Sequence, residues 1–283
     1  MSDFLEVYVQ DYSKQPTLFG GSAGYEGGEW RAKAFANYIM KYILEFTLSR
    51  DEWDDVNTLT AYEHLGVAAR TIYQTAKYGK RGEFGELLLH TLLREFYGTD
   101  PLISKLYFKD TANDTVKGFD SVHLVIDENA PQLWLGEAKF YTDIGAAIRD
   151  AATSLLTHFQ TDYLKNEFTW IRRKLPHNNQ PEKHETIASI LKSKKSLDHI
   201  FPYINVPVVL TYNSPTLAAH TSTTEQFKKD IATEINKNYS YFLAQNLPQK
   251  VAIHVLLIPL HKKKDLQDNL HAKLTALQAL ADE

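Results

Sequence analysis

The chain contains no cysteine, which excludes disulfides, thiol catalysis and cysteine-based zinc sites together. It also lacks any long apolar run. The longest, such as "VAIHVLLIPL" (Val251 to Leu260), is far too short to cross a bilayer. No N-terminal stretch joins a basic start to an apolar core and a small-residue cleavage site. These absences predict a soluble cytoplasmic protein with no membrane partner. Basic excess is missing as well: the net charge is −4. A free-standing nucleic-acid binder usually draws affinity from counterions released by its own positive charge. If this chain acts on nucleic acid, its intrinsic grip is modest and a partner delivers the substrate. Lysine and arginine gather only locally, at Arg172 to Lys174, Lys192 to Lys195 and Lys262 to Lys264. Each run reads first as a solvated face rather than a phosphate track.

Several motifs are missing too. The histidines form no His-Glu-x-x-His, and "KHETI" (Lys183 to Ile187) sits in a polar, lysine-rich stretch read as a loop. His123 and His254 fall within strand-like runs and read as sheet residues rather than ligands. There is no Gly-x-Ser-x-Gly elbow, no dinucleotide fingerprint and no internal repeat. The glycine-rich "LFGGSAGYEGGEW" (Leu18 to Trp30) lacks the Lys-Ser/Thr of a P-loop, and Glu26 and Glu29 would repel an anion. It reads as a flexible loop.

What remains is a chain of 283 residues, 43% hydrophobic, long enough for one large domain or two small ones. "FLEVYV" (Phe4 to Val9) alternates like a strand. Trp30, Ala34, Phe35, Tyr38, Ile39, Tyr42, Ile43 and Phe46 recur at helical spacing from Glu29 to about Ser49, and a second helix is predicted over Asn57 to Lys77. Residues 1–78 thus read as a mainly helical N-terminal part, with residues 79–283 forming the core. In that core, "RGEFGELLLHTLLREFYGTDP" is a helix ended by Gly98 and Pro101. Its apolar side chains cover more than half its circumference, so it packs on a sheet. Glu83, His90 and Arg94 make its polar arc, and Glu86 lies at the border. Strands follow at Leu102 to Phe108, Gly118 to Ile126 and Gln132 to Phe140, the last two joined by the turn "DENAP". A helix runs from about Asp143 to Phe159. "VPVVLTY" and "VAIHVLLIPL" are buried strands, separated by a helix capped by Thr223 or Thr224, and a last amphipathic helix closes the chain. Helix, three strands, helix, strand, helix, strand is an α/β order: a mixed central sheet flanked by helices.

The charges of "QLWLGEAKF" stand out in this frame. Side chains alternate across a strand, so Glu137 and Lys139 share one face and Ala138 takes the other. A hairpin pairs the start of its first strand with the end of its second, which can bring Asp120 beside Glu137. Two adjacent carboxylates repel unless a cation relieves them. Mg2+ or Mn2+ suits such oxygen ligands, with the backbone carbonyl of Ala138 as a third donor. A lysine beside them could position an attacking water or stabilise charge building on a phosphate. Glu86 would be a further ligand or an outer carboxylate. Against this stands a plain alternative, in which Asp120, Glu137 and Lys139 form a solvated ion-paired ladder.

"GFD", then a strand, a turn and "WLGEAKF", preceded by "RGEFGELLLHTLL", resembles the PD-(D/E)xK nuclease superfamily over about residues 79–212. Phe119 stands where that superfamily often has proline. The resemblance implies a restriction-endonuclease-like core, with Asp120 and Glu137 as metal ligands, Lys139 as the catalytic lysine and Glu86 as the helix carboxylate. More narrowly, "KGFDSVHL", "LWLGEAKFY" and the helical N-terminus resemble the HamA family, nuclease subunits of the Hachiman anti-phage defence system. That implies a DNA substrate and a helicase partner of the HamB type, which restrains the nuclease until infection. The rival class is a catalytically silent, nuclease-like subunit that binds a helicase or nucleic acid without cutting.

Overall fold

A computed structural model describes residues 4–48, 50–73, 82–104, 118–126, 131–174, 181–191 and 196–281. Strands β1 (Glu6–Asp11), β2 (Thr17–Ser22), β5 (Asp100–Ser104), β6 (Ser121–Val125), β7 (Gln132–Phe140), β8 (Ile204–Asn213) and β9 (Ala252–Leu260) form a seven-stranded sheet. Its order is β1-β2-β9-β8-β7-β6-β5. The β2, β9, β8 and β7 strands run parallel, while β1, β6 and β5 add antiparallel edges. The predicted mixed α/β sheet is therefore the observed one. The central strands are buried on both faces, which is why they read as near-continuous apolar runs.

One face carries α6 (Ile144–His158), α7 (Thr161–Lys174), α8 (Pro181–Ile190) and α11 (Glu225–Leu243), around a core that includes Leu133, Leu135, Ile148, Leu155 and Ile231. The other carries α1 (Ala32–Met40), α2 (Ile43–Thr47), α4 (Ala61–Ile72), α5 (Glu83–Tyr97) and α12 (Lys263–Gln278), around Phe35, Ile39, Leu88, Val209 and Leu270. Short helices α3 (Arg50–Asp54), α9 (Leu197–Ile200) and α10 (Pro215–Ala219) lie between the larger elements. Among the described residues no helix is long and apolar enough to cross a membrane.

Residues 1–78 supply the expected helices, but β1 and β2 from this part also join the sheet, with β2 beside β9. The sheet therefore extends across residue 78. The glycine-rich run is not a flexible loop. Its first half is β2, buried throughout, and its second half is the hairpin β3 (Tyr25–Glu26) and β4 (Glu29–Trp30), turned by Gly27 and Gly28 at φ 61° and 87°. Gly20 is needed because a Cβ there would lie 2.7 Å from Ile235 of α11. The single helix expected over 29–49 divides at Lys41 and Tyr42 into α1 and α2, and its first residues belong to the hairpin.

On α5, Gly98 ends the helix at φ 59° as expected, but the polar arc is not solvated. Glu83 and His90 are buried, and Glu45 of α2 accepts from His90 and from Arg94 at 3.2 and 2.9 Å. The polar stretch holding "KHETI" is helix α8, whose Ile187 and Ile190 enter the core. The predicted turn residues 127–130, the strand residues 105–108 and Lys192 to Lys195 lie outside the described residues, as do residues 176–180 of the polar stretch read as a loop. Thr224 caps α11 by accepting from the Phe227 N–H at 3.1 Å, so Thr224→Ala is expected to cost about 1 kcal/mol, read as a lower urea midpoint.

Candidate active site

The site forms where β6 starts beside the C-terminal half of β7. Gly118 sets up the approach with φ 144°, and a Cβ there would meet the Glu167 carboxylate of α7 at 2.8 Å. Gly118→Ala is therefore expected to cost about 2 kcal/mol of stability and to displace the segment leading to Asp120. An unchanged denaturation midpoint would contradict this.

Ser121 pairs with Gly136, which puts Asp120 alongside Glu137 as the hairpin pairing requires. The Asp120 N–H donates to the Gly136 carbonyl at 2.8 Å, and Asp120 Oδ2 accepts from the Ala138 N–H at 2.9 Å. These two bonds lock the carboxylate against the backbone between Glu137 and Lys139. Glu137 and Lys139 do share a face, the one covered by α6, while Ala138 and Phe140 face α5. There Gly85 permits close contact: a Cβ on it would lie 2.9 Å from Phe140 Cβ.

Lys139 Nζ pairs with Glu137 Oε1 at 2.9 Å and with Asp150 Oδ2 at 3.0 Å, and donates to Ser154 Oγ at 3.0 Å. Asp150 Oδ2 also accepts from the Tyr141 hydroxyl at 2.7 Å. The other Glu137 oxygen, Oε2, is sealed from solvent with no hydrogen-bond partner among the described residues; His158 Nδ1 stands 3.5 Å away. The His158 ring packs between Phe119, edge-on at 4.8 Å, and Tyr163, stacked at 4.9 Å.

Burial, then the charge of Asp120, pushes the Glu137 carboxyl up to about 7, against the pull of Lys139. Burial works to lower Lys139, but Glu137 and Asp150 outweigh it and hold the ammonium above its ordinary value. Asp150 is raised by burial and lowered more by the Tyr141 hydroxyl and Lys139, so it ends below the usual carboxylate value.

Asp120, Glu137 and Lys139 are thus brought together as the hairpin argument expects. Glu86 sits in the first turn of α5, on the opposite layer of the sheet, with one carboxylate oxygen buried. Asp150, Ser154 and His158 were not assigned from the sequence. Their spacing of four along the helix after the Glu-x-Lys strand was the available signal, since it aligns them on one face. Arg149, on the neighbouring face, is exposed and donates to the Tyr241 hydroxyl at 3.1 Å. His123 and His254 are sheet residues, as expected. His123 bonds Thr99 and His90, and His254 bonds Thr17 and Asn205.

The family model described as HamA matches residues 2–274 of the chain. The chain is also 27% identical over 123 residues to "Anti-bacteriophage protein A" of Escherichia coli (strain K12). That similarity covers 43% of this chain and 22% of the length of the relative.

Proposed function

This chain belongs to the HamA family, and from that premise we propose that it is the nuclease subunit of an anti-phage defence complex. In this reading it hydrolyses DNA phosphodiester bonds with Mg2+ or Mn2+ under control of a helicase partner of the HamB type. The defence role is supported by the family and by the name of the Escherichia coli relative. The nuclease reading rests on one observation: Asp120, Glu137 and Lys139 converge on one face beside the β6–β7 ladder.

The residues present fit a hard divalent cation. Glu137 offers a buried oxygen with no hydrogen bond among the described residues, next to a second carboxylate whose charge it feels. Among the described residues no group of three or more His, Asp or Glu could hold a metal through side chains alone. The proposed ligands are therefore Asp120, Glu137 and the backbone carbonyl of Ala138, without Glu86 on the opposite layer, and water and substrate oxygens supply the rest. Such a cation supplies neutralisation of the phosphate and activation of water. The chain's own residues orient the reaction. Lys139 aims an attacking water and donates to the phosphate oxygens as their charge grows, and the packing of α6 over Glu137, with His158 3.5 Å away, keeps the carboxylate dry.

Plasmid and linear DNA incubated with the chain, its helicase partner and ATP should be cut with Mg2+ or Mn2+ and left intact with EDTA. Cleavage that survives chelation would sink the metal mechanism. DNA left intact with partner, ATP and metal all present would favour the catalytically silent subunit.

A further inference from the structure

The lysine at this site has no donor to spare. An ammonium carries three N–H groups, and those of Lys139 are taken by Glu137 Oε1, Asp150 Oδ2 and Ser154 Oγ at 2.9, 3.0 and 3.0 Å. For Lys139 to contact a phosphate or an attacking water, one acceptor must give way. The three differ in setting. The Glu137 side chain is 4% exposed and held on the same strand, whereas that of Asp150 is 43% exposed. Ser154 is neutral and half-buried. Asp150 alone is both charged and open to solvent, and the Tyr141 hydroxyl fixes its bonding oxygen at 2.7 Å. A polyanion approaching Nζ from solvent is repelled by this carboxylate while it remains in place.

Resting on the nuclease reading for its substrate, we propose that Asp150, anchored by Tyr141, is a positioning residue that latches Lys139 in a substrate-free arrangement. A backbone phosphate of nucleic acid takes its place at Nζ when the site engages. The exchange swaps one anion for another, so the buried ammonium stays compensated throughout. The latch therefore sets a threshold for substrate without leaving an unpaired charge in the resting protein. Ser154 and Glu137 keep the lysine aimed while Asp150 releases it.

The test uses the whole chain with D150N and Y141F, neither of which empties a core position. Acylation of Lys139 by an amine-reactive acetate ester is mapped by peptide mass spectrometry against the other lysines. Binding of a short fluorescent DNA duplex is read by anisotropy in EDTA. D150N is expected to raise Lys139 labelling about fivefold, the size of one partly exposed ion pair, and to tighten DNA binding by a similar factor. Y141F should move both in the same direction by less. Under cleavage conditions D150N should lower KM while kcat changes little. Unchanged labelling in D150N overturns the latch. A rise in labelling without tighter DNA binding overturns it as well, because Asp150 would then be an ion-pair partner and nothing more. If both readouts move as expected and no form cleaves DNA, the nuclease reading fails and the latch stands.

Discussion

Lys139→Ala is expected to reduce DNA cleavage by roughly two to three orders of magnitude, the usual loss when a donor to developing charge is removed. It should also destabilise the chain, because Glu137 and Asp150 lose the cation they share and Glu137 is 3% exposed. The more informative partner is Glu137→Gln. Glutamine keeps the shape of the buried side chain and can still accept from Lys139 Nζ, while removing a charge that sits beside Asp120. Cleavage should fall as far as in Lys139→Ala, but stability without metal should match or exceed wild type. Activity and stability then move in opposite directions, as expected where a site keeps like charges together for chemistry. Rates on supercoiled plasmid and urea midpoints in EDTA check the pair. A Glu137→Gln protein that cuts DNA normally would remove Glu137 from the mechanism. One that unfolds would show that its charge holds the fold together.

The Glu-x-Lys strand and its Asp120 partner were legible because a strand has a fixed period of two and a hairpin has a simple register. One spacing rule on each strand sufficed to bring three charges to one place. The β2 strand was not legible. Its glycines resemble a loop when read locally, and only the close approach of Ile235, 215 residues away in the chain, gives Gly20 a reason to be in a strand. The buried side of α5 was hidden for the same kind of reason. Glu83, His90 and Arg94 look solvated on a helical wheel, yet Glu83 and His90 are buried and Arg94 partly so; Glu45, from an element far off in sequence, supplies the acceptor that makes the burial of His90 tolerable. Asp150, Ser154 and His158 lie between these cases. Their helical spacing was visible, but only the packing of α6 on β7 gives that face a target. Local periodicity exposes the charges, and long-range packing decides which neighbours satisfy them.

Acidification from pH 7 to 5.5 is expected to lower folding stability steeply, and the cause lies on the opposite side of the sheet from Lys139. His123 Nδ1 meets Thr99 Oγ1 at 2.7 Å, His123 Nε2 meets His90 Nδ1 at 3.1 Å, and His90 Nε2 meets Glu45 Oε2 at 3.2 Å. A nitrogen pair at that distance needs one N–H and one lone pair. The carboxylate of Glu45 requires the N–H of His90 to point at it, so His90 Nδ1 accepts from His123 and Thr99 donates to His123. Every bond is then made by neutral rings, and burial, not want of an acceptor, keeps a further proton off either ring. Burial holds His123 well below its ordinary value and His90 below it despite the pull of Glu45, and it takes His254 down to about 4. A histidine depressed in the fold leaves stability intact above its unfolded value near 6.5. As pH falls below that value, the unfolded chain binds protons the fold refuses. Each such proton costs about 1.4 kcal/mol per pH unit. Glu137, pushed up to about 7, runs the other way and offsets one of the three across this range. The net loss is roughly 1 to 3 kcal/mol per pH unit once the histidines of the unfolded chain are protonated. Urea midpoints in EDTA at pH 7.5, 6.5 and 5.5 measure it. Replacing His123 with glutamine should flatten the slope by about one proton, whatever it does to absolute stability. A stability that stays level down to pH 5.5 would mean that the two rings accept protons where they sit.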